Sequence, residues 1–337
     1  MNGRIALQRE YFTKQPTVIY ESDDFKTTMF KYNSGVEGLE LKNSRGRMVV
    51  LPYMGQMIWD LEFDGFNMKM KSMYSEPKKG TCILDTYGCF TYHAGLVRNG
   101  CPSPEDDHIL HGEMPCANMD AAWLEITDTS LKITGSVEYV KGFGHHYAAN
   151  PSATMFSGKS HIEIGMDVKN LAAYEMPLQY MCHSNYAYIP NGVFSQNIPD
   201  SAIVLRQTIP AHIHPTPQWK AFNDELLESK IPIKVLNRPE MYDPEIVFFA
   251  DRIDQYQKKA YFEVKSPDDV TLYSEFDTTD LKYATRWINY NLDQQVGAFV
   301  LPATCRPEGF LAAKKAGTLI MLEPGKQKSF RIILGKK

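Results

Sequence analysis

Apolar and polar residues alternate with a period of two along most of this chain. In Met57-Ile58-Trp59-Asp60-Leu61-Glu62-Phe63-Asp64 the apolar set Met57, Trp59, Leu61 and Phe63 opposes Asp60 and Glu62, so one face of an extended segment buries and the other meets water. His161 to Asn170 repeats the pattern, with Ile162, Ile164, Met166 and Val168 inward and Glu163, Asp167 and Lys169 outward. Near the end, Phe330, Ile332 and Leu334 alternate less cleanly with Ser329, Arg331 and Ile333. Asp64-Gly65, Ser157-Gly158, Asn191-Gly192, Ser266-Pro267-Asp268-Asp269 and Pro324-Gly325 punctuate these runs with residues that preset or tolerate turn dihedrals. Helical periodicity is scarce: one short helix is predicted from about Trp219 to Ser229, and one or two turns around Ala117 to Leu124. Strands so spaced, with so few helices between them, predict antiparallel sheets, because parallel ones need crossover helices. No linker or internal repeat divides the pattern, which predicts one domain over residues 1–337, with 1–45 as N-terminal strands and lead-in.

Composition narrows the class. A chain of 337 residues, 43% hydrophobic and 23% charged, can bury a large core, which sets aside disordered and fibrous proteins. The net charge of −4, without a basic stripe, gives no reason to expect a nucleic-acid partner. The N-terminus lacks the apolar run of a secretory signal and no eighteen apolar residues occur in succession, so the expectation is a soluble, cytoplasmic protein with no membrane partner. Six scattered cysteines without a CxxC pair argue against a zinc ribbon or a redox dithiol and for free thiols.

Three segments hold candidate chemistry. Leu178 to Tyr188, read as a strand, puts Gln179, Met181, His183 and Asn185 on one face, either as a hydrogen-bonded structural network or as the lining of a polar ligand site. Around His111, Gly112 and Pro115 mark an irregular segment where backbone can approach a ligand, and His93 in Tyr92-His93-Ala94-Gly95 is a candidate for the same region. His212-Ile213-His214 places two imidazoles on one side of an extended loop, but no carboxylate stands at a recognisable spacing, so neither a metal nor another cofactor is expected. Phosphate-binding loops and the GxSxG nucleophile elbow are absent.

The ordered motifs resemble those of the aldose 1-epimerase (galactose mutarotase) superfamily, and more closely its DUF4432 branch, from about Gly46 to Gly335. Leu110-His111-Gly112 is similar to the family's LHG segment, Met166-Asp167-Val168-Lys169-Asn170 to its D-V-x-N strand, and Cys182-His183-Ser184-Asn185-Tyr186 to its histidine strand. Phe276-Asp277-Thr278-Thr279-Asp280-Leu281 with Arg286-Trp287, and Leu322-Glu323-Pro324-Gly325, resemble the branch's later motifs. The resemblance implies an all-β, galactose mutarotase-like β-supersandwich of antiparallel sheets with few short helices. Its concave face would hold a monosaccharide or sugar derivative, and a homodimer is an open possibility. It further implies acid–base ring opening and reclosure, with His183 as general acid, His111 as a sugar-binding partner, and Asn185 and Trp287 shaping the pocket.

Departures from the family pattern are as informative. Where the family places its glutamate base, this chain reads Leu301, and a leucine accepts no proton. Glu113 stands where the branch has arginine, and Arg286 stands near a frequent lysine position. The principal reading is a sugar epimerase or isomerase in which Glu113 or Glu308 replaces the base. The alternatives are a carbohydrate-binding protein without catalysis, different acid–base chemistry on an acidic or phosphorylated sugar met by Arg286 or Arg47, and a metal-dependent isomerase.

Overall fold

The structure, a computed structural model, describes residues 3–210 and 213–337. Its β-strands assemble into two large antiparallel sheets. A nine-stranded sheet runs in the spatial order Gly3–Ala6, Ala121–Ile126, Ser130–Val140, His146–Phe156, His161–Asn170, Gln327–Lys336, Thr271–Asp277, Lys259–Lys265, Val193–Gln196. A thirteen-stranded sheet begins Ile203–Leu205, Ile246–Ala250, Tyr283–Tyr290, Gln295–Ala303, Met176–Ser184, Thr91–Leu96 and continues through Met57–Phe63 into the N-terminal strands. The alternating segments read from the sequence are strands with the expected inward faces: Met57, Trp59, Leu61 and Phe63 are buried, as are Ile162, Ile164, Met166 and Val168.

The two sheets pack through aromatic and aliphatic side chains. Tyr180 stacks on Phe330 of the nine-stranded sheet with ring centroids 4.7 Å apart. The strand Met176–Ser184 is buried along its whole length, so its two faces meet different environments. Tyr180 and Cys182 turn toward the second sheet, and by the two-residue repeat Met181 and His183 turn away from it.

Among the described residues two α-helices interrupt the β pattern. Pro217–Ser229 is the predicted one, begun by Thr216, whose hydroxyl accepts from the Trp219 backbone N–H, and by Pro217 in the first turn. Phe310–Lys315 was not legible in the periodicity. The turns expected around Ala117 to Leu124 are not helical: Ala121–Ile126 is a strand paired on both sides, and two ladders outweigh a weak helical preference. All six cysteines are free. Among the described residues no helix is long and apolar enough to cross a membrane.

The turn carrying His111 is tightly specified. His111 and Gly112 both lie in the left-handed region, at φ 60° and 77°, and a Cβ built at Gly112 would stand 1.9 Å from the carbonyl oxygen of Arg98. Gly112→Ala is therefore expected to lower the unfolding free energy by more than about 1 kcal/mol, read by urea denaturation.

His93 lies in the packed interior, its Nδ1 2.9 Å from the Tyr180 hydroxyl. Burial lowers its pKa from 6.5 to about 3. The unfolded chain then binds a proton that the folded chain refuses, so this contribution to stability is complete above pH 6.5 and is lost as pH falls toward 3. The slope is at most about 1.4 kcal/mol per pH unit for this one group, and His93→Gln is expected to flatten it in urea titrations between pH 6.5 and 4.5.

Candidate functional site

The face of the thirteen-stranded sheet turned away from the nine-stranded one opens into a cavity of about 300 Å³. Its walls come from alternate residues of neighbouring strands: Met181 and His183, Thr285, Trp287 and Asn289, Leu301, and Val247 and Phe249. His111 enters from its turn, Tyr87 from the segment before Thr91–Leu96, and Arg206 from the chain after Ile203–Leu205. Polar groups on an otherwise apolar concave wall are the ordinary composition of a small-molecule site.

His183 is held by aromatic rings. It stacks on Tyr92, its cross-strand partner, at 4.6 Å and 14°, and meets the edges of His111 at 4.9 Å and Trp287 at 5.6 Å. Its Nε2 lies 3.4 Å from the hydroxyl of Tyr87, which is 3.4 Å from that of Tyr92. Burial outweighs the neighbouring Asn185 side chain and pushes the His183 pKa down to about 3, so the imidazole is neutral across the physiological range. The Tyr87 hydroxyl is raised well above its usual value by the same burial and stays protonated. Cys101, also in the wall, is pushed up to about 12 and remains a thiol.

A carboxylate that no sequence motif marked stands across Trp287 from this histidine. Glu245 lines the cavity at only 8% exposure, with Oε1 2.6 Å from the Arg206 guanidinium and Oε2 accepting from the Trp287 indole N–H at 2.7 Å. Its backbone is fixed as well. The Trp219 indole N–H donates to the Glu245 carbonyl at 2.8 Å, and Asn289 Nδ2 donates to the Pro244 carbonyl at 2.7 Å. The helix Pro217–Ser229 thus positions the acid through its buried tryptophan. Removing one partner of such a pair would leave an uncompensated buried charge, which typically costs about 3–5 kcal/mol.

Of the residues expected from the sequence, His183, His111 and Trp287 come together at this cavity, and Leu301 faces it from the family's glutamate position. The others stand outside its lining. Glu113 Oε1 accepts from the backbone N–H groups of Leu96 and Val97 at 2.8 and 2.7 Å and from the Tyr147 hydroxyl at 2.9 Å, which makes it a tie between loop and sheet rather than a base facing the cavity. Asn185 donates to the Cys89 carbonyl at 2.9 Å, and His93 points to the opposite face of the sheet. Arg286 lies between the sheets, its guanidinium over the Phe194 ring and donating to Ile233 O and Gln196 Oε1, both at 3.0 Å; burial lowers its pKa to about 10. Arg47 is half-exposed among Glu40, Asp60 and Glu62. Glu308 accepts from the Thr208 hydroxyl at 2.8 Å and pairs with Arg306, outside the lining. Among the described residues no group of three or more His, Cys, Asp or Glu could hold a metal ion; His212 lies outside the described residues, and His214 is exposed.

Sequence reasoning missed Glu245, Arg206 and Tyr87. The available signal was local: a carboxylate right before the apolar run Ile246–Ala250, in phase with Val247 and Phe249.

Comparison with solved structures places this architecture. A protein from Klebsiella pneumoniae, provisionally assigned as an aldose 1-epimerase, superposes with a TM-score of 0.82 at 16% identity, covering 100% of this chain and 91% of that one. A galactose mutarotase-like protein from Clostridium acetobutylicum matches with a TM-score of 0.63 at 15% identity over 94% and 99% of the two chains. Galactose 1-epimerase from Lactobacillus acidophilus matches with a TM-score of 0.57 at 10% identity over 96% and 98%. At these identities the likeness speaks for the fold alone. A sequence comparison with curated proteins gives no match. The family model described as domain of unknown function DUF4432 matches residues 33–335. The chain is a member of the DUF4432 family, built on the galactose mutarotase-like fold.

Proposed function

We propose that the protein binds a monosaccharide in this cavity and interconverts its ring forms by acid–base chemistry, as an aldose 1-epimerase-like isomerase. The observation that carries the reading is the meeting of His183, His111, Trp287 and the carboxylate of Glu245 in one concave wall. A cavity of about 300 Å³ is at the small end of ligand sites, which suits one sugar ring.

In this scheme Glu245, elsewhere in the wall, takes the role that Leu301 cannot fill and accepts the proton of the anomeric hydroxyl. The bond from the anomeric carbon to the ring oxygen breaks, and His183, neutral and backed by the Tyr87 hydroxyl, meets the charge developing on that oxygen with its N–H. Rotation about the adjacent bond and reclosure in the reverse sense give the other anomer, and Glu245 returns its proton to the anomeric oxygen, while the His183 N–H donates a hydrogen bond throughout and keeps its proton. Trp287 supplies an apolar face to the ring while its N–H keeps the carboxylate oriented.

A second reading, binding without turnover, is favoured by Leu301 alone, since its apolar side chain faces the ligand space. Exchange spectroscopy of the α and β signals of dissolved aldoses separates the two. Glu245→Gln is expected to slow enzyme-dependent exchange about 10²- to 10⁴-fold with sugar binding retained. Glu113→Gln is expected to leave the rate unchanged. A wild-type rate equal to the buffer background would retire the catalytic reading and leave the binding one.

Because the neutral imidazole is the working form, the rate is expected to be flat between pH 6 and 8. An inflection near 6.5 in the pH–rate profile would mean that His183 titrates during turnover and would overturn its assignment as a neutral donor.

A further inference from the structure

Opening a sugar ring makes two demands at the ring oxygen: a hydrogen bond while charge develops there, and a proton once the bond to the anomeric carbon has broken. His183 meets only the first. Burial holds its pKa at about 3, so at neutral pH it has no spare proton, and a neutral ring that gave up its N–H would become an imidazolate. It is also enclosed by the rings of Tyr87, Tyr92, His111 and Trp287, at centroid distances of 6.1, 4.6, 4.9 and 5.6 Å. At 4% exposure the imidazole shows the cavity little surface.

Tyr87 is placed differently. It lines the cavity, is half-buried rather than sealed, and meets the Trp287 ring edge-on at 5.8 Å. Its hydroxyl lies 3.4 Å from His183 Nε2 and accepts the Tyr92 O–H at 3.4 Å. Both distances are long for hydrogen bonds, of the kind that tighten when substrate arrives. With a lone pair taken by Tyr92 and the His183 proton on Nε2, as ring opening above requires, the phenol's own O–H is left for a ligand. The other phenol in the wall is committed elsewhere, since Tyr74 donates to the Leu84 carbonyl at 2.6 Å.

Resting on the ring-opening reading above, we infer that Tyr87 is a catalytic acid that gives its proton to the ring oxygen, with Tyr92 and His183 holding the phenolate that results. Glu245 takes the proton of the anomeric hydroxyl, and the bond from that oxygen to the anomeric carbon becomes double. The bond from the anomeric carbon to the ring oxygen breaks, its electron pair stays on the ring oxygen, and that oxygen takes the Tyr87 proton. The phenolate then accepts from the Tyr92 O–H and the His183 Nε2–H. Reclosure reverses each transfer and regenerates the protein with no co-reactant. The direction is favourable because an aliphatic alkoxide is a stronger base than a phenolate, and the burial that raises the Tyr87 pKa raises that of the sugar alkoxide too.

Tyr87→Phe keeps the ring that packs on His183 and Trp287 and removes only the hydroxyl. Exchange spectroscopy is expected to show the enzyme-dependent rate reduced about 10²- to 10⁴-fold, with sugar binding by calorimetry unchanged. Tyr92→Phe, which strips the phenolate of one donor, is expected to lose about 10-fold, the worth of one such hydrogen bond.

A hydroxyl that only braced the imidazole would also slow the reaction when removed, so the deciding measurement changes its acidity alone. 3,5-Difluorotyrosine at position 87 keeps the hydroxyl and lowers the phenol's pKa. Turnover needs the protonated phenol, so the rate falls as pH rises through that pKa, and the fluorinated protein is expected to lose rate at alkaline pH values where the wild type is still flat. The titratable neighbours of the hydroxyl, His183, Tyr92, Cys89, Cys101 and Glu245, are common to both proteins. An unchanged rate in Tyr87→Phe, or alkaline limbs that coincide in the fluorinated and wild-type proteins, overturns the assignment and leaves the ring-opening site standing. Wild-type exchange no faster than the buffer background removes the ring-opening reading and this acid with it. The fluorinated protein decides the matter even if Tyr87→Phe fails to fold.

Discussion

The site exists because one sheet uses its two faces differently. The strand Met176–Ser184 is buried on both sides, and Gln295–Ala303 beside it and Tyr283–Tyr290 beyond that are nearly so. One side is sealed by the nine-stranded sheet, where Tyr180 stacks on Phe330 and Arg286 donates to Gln196. Since side chains alternate along a strand, that sealing commits Met181 and His183, and Thr285 and Trp287, to the other side, and Leu301 follows as the partner of Thr285, before the register shift that pairs Trp287 with Ala298. A slip of one residue in either ladder would exchange the two sets, burying the histidine in the core and setting Arg286 in the cavity. The packing of the sheets therefore fixes the chemistry of the cavity as well as the stability of the chain.

Charge adds a second constraint. A carboxylate in an apolar wall needs its charge met, and Arg206 and the Trp287 indole meet that of Glu245 from two sides. Arg286 shows the same rule on the sealed face, where backbone and amide oxygens and the Phe194 ring receive its guanidinium. Two arginines of similar burial thus differ in what they do. One orients a carboxylate at the ligand space, and the other joins two layers.

How far the sequence was legible follows from the range of the forces involved. Period-two alternation is local, so Met57–Phe63 and His161–Asn170 were readable, as was the helix from its Thr216-Pro217 start. His183, His111 and Trp287 were found through motifs whose order survives at low identity. Glu245 was not, because its phase with Val247 and Phe249 is the one local sign and the partners that give it a role are distant: Arg206 and Trp287 lie 39 and 42 residues away, and the indole that fixes its carbonyl belongs to a helix. Glu113 misled for the converse reason. Its acidity and its position beside His111 suggested a base, yet the backbone of Leu96 and Val97, 17 and 16 residues away, takes up its oxygen. Periodicity cannot tell a carboxylate that faces a ligand from one that holds a loop.

The fourfold tethering of Glu245 has a thermodynamic corollary. Carboxylate, carbonyl and preceding peptide are all anchored within the protein itself, so the rotamer entropy lost in aiming this acid is charged to folding rather than to association. A small, weakly held guest would then meet a receptor already set, its residence governed by desolvation and contact instead of by reorganisation of the host.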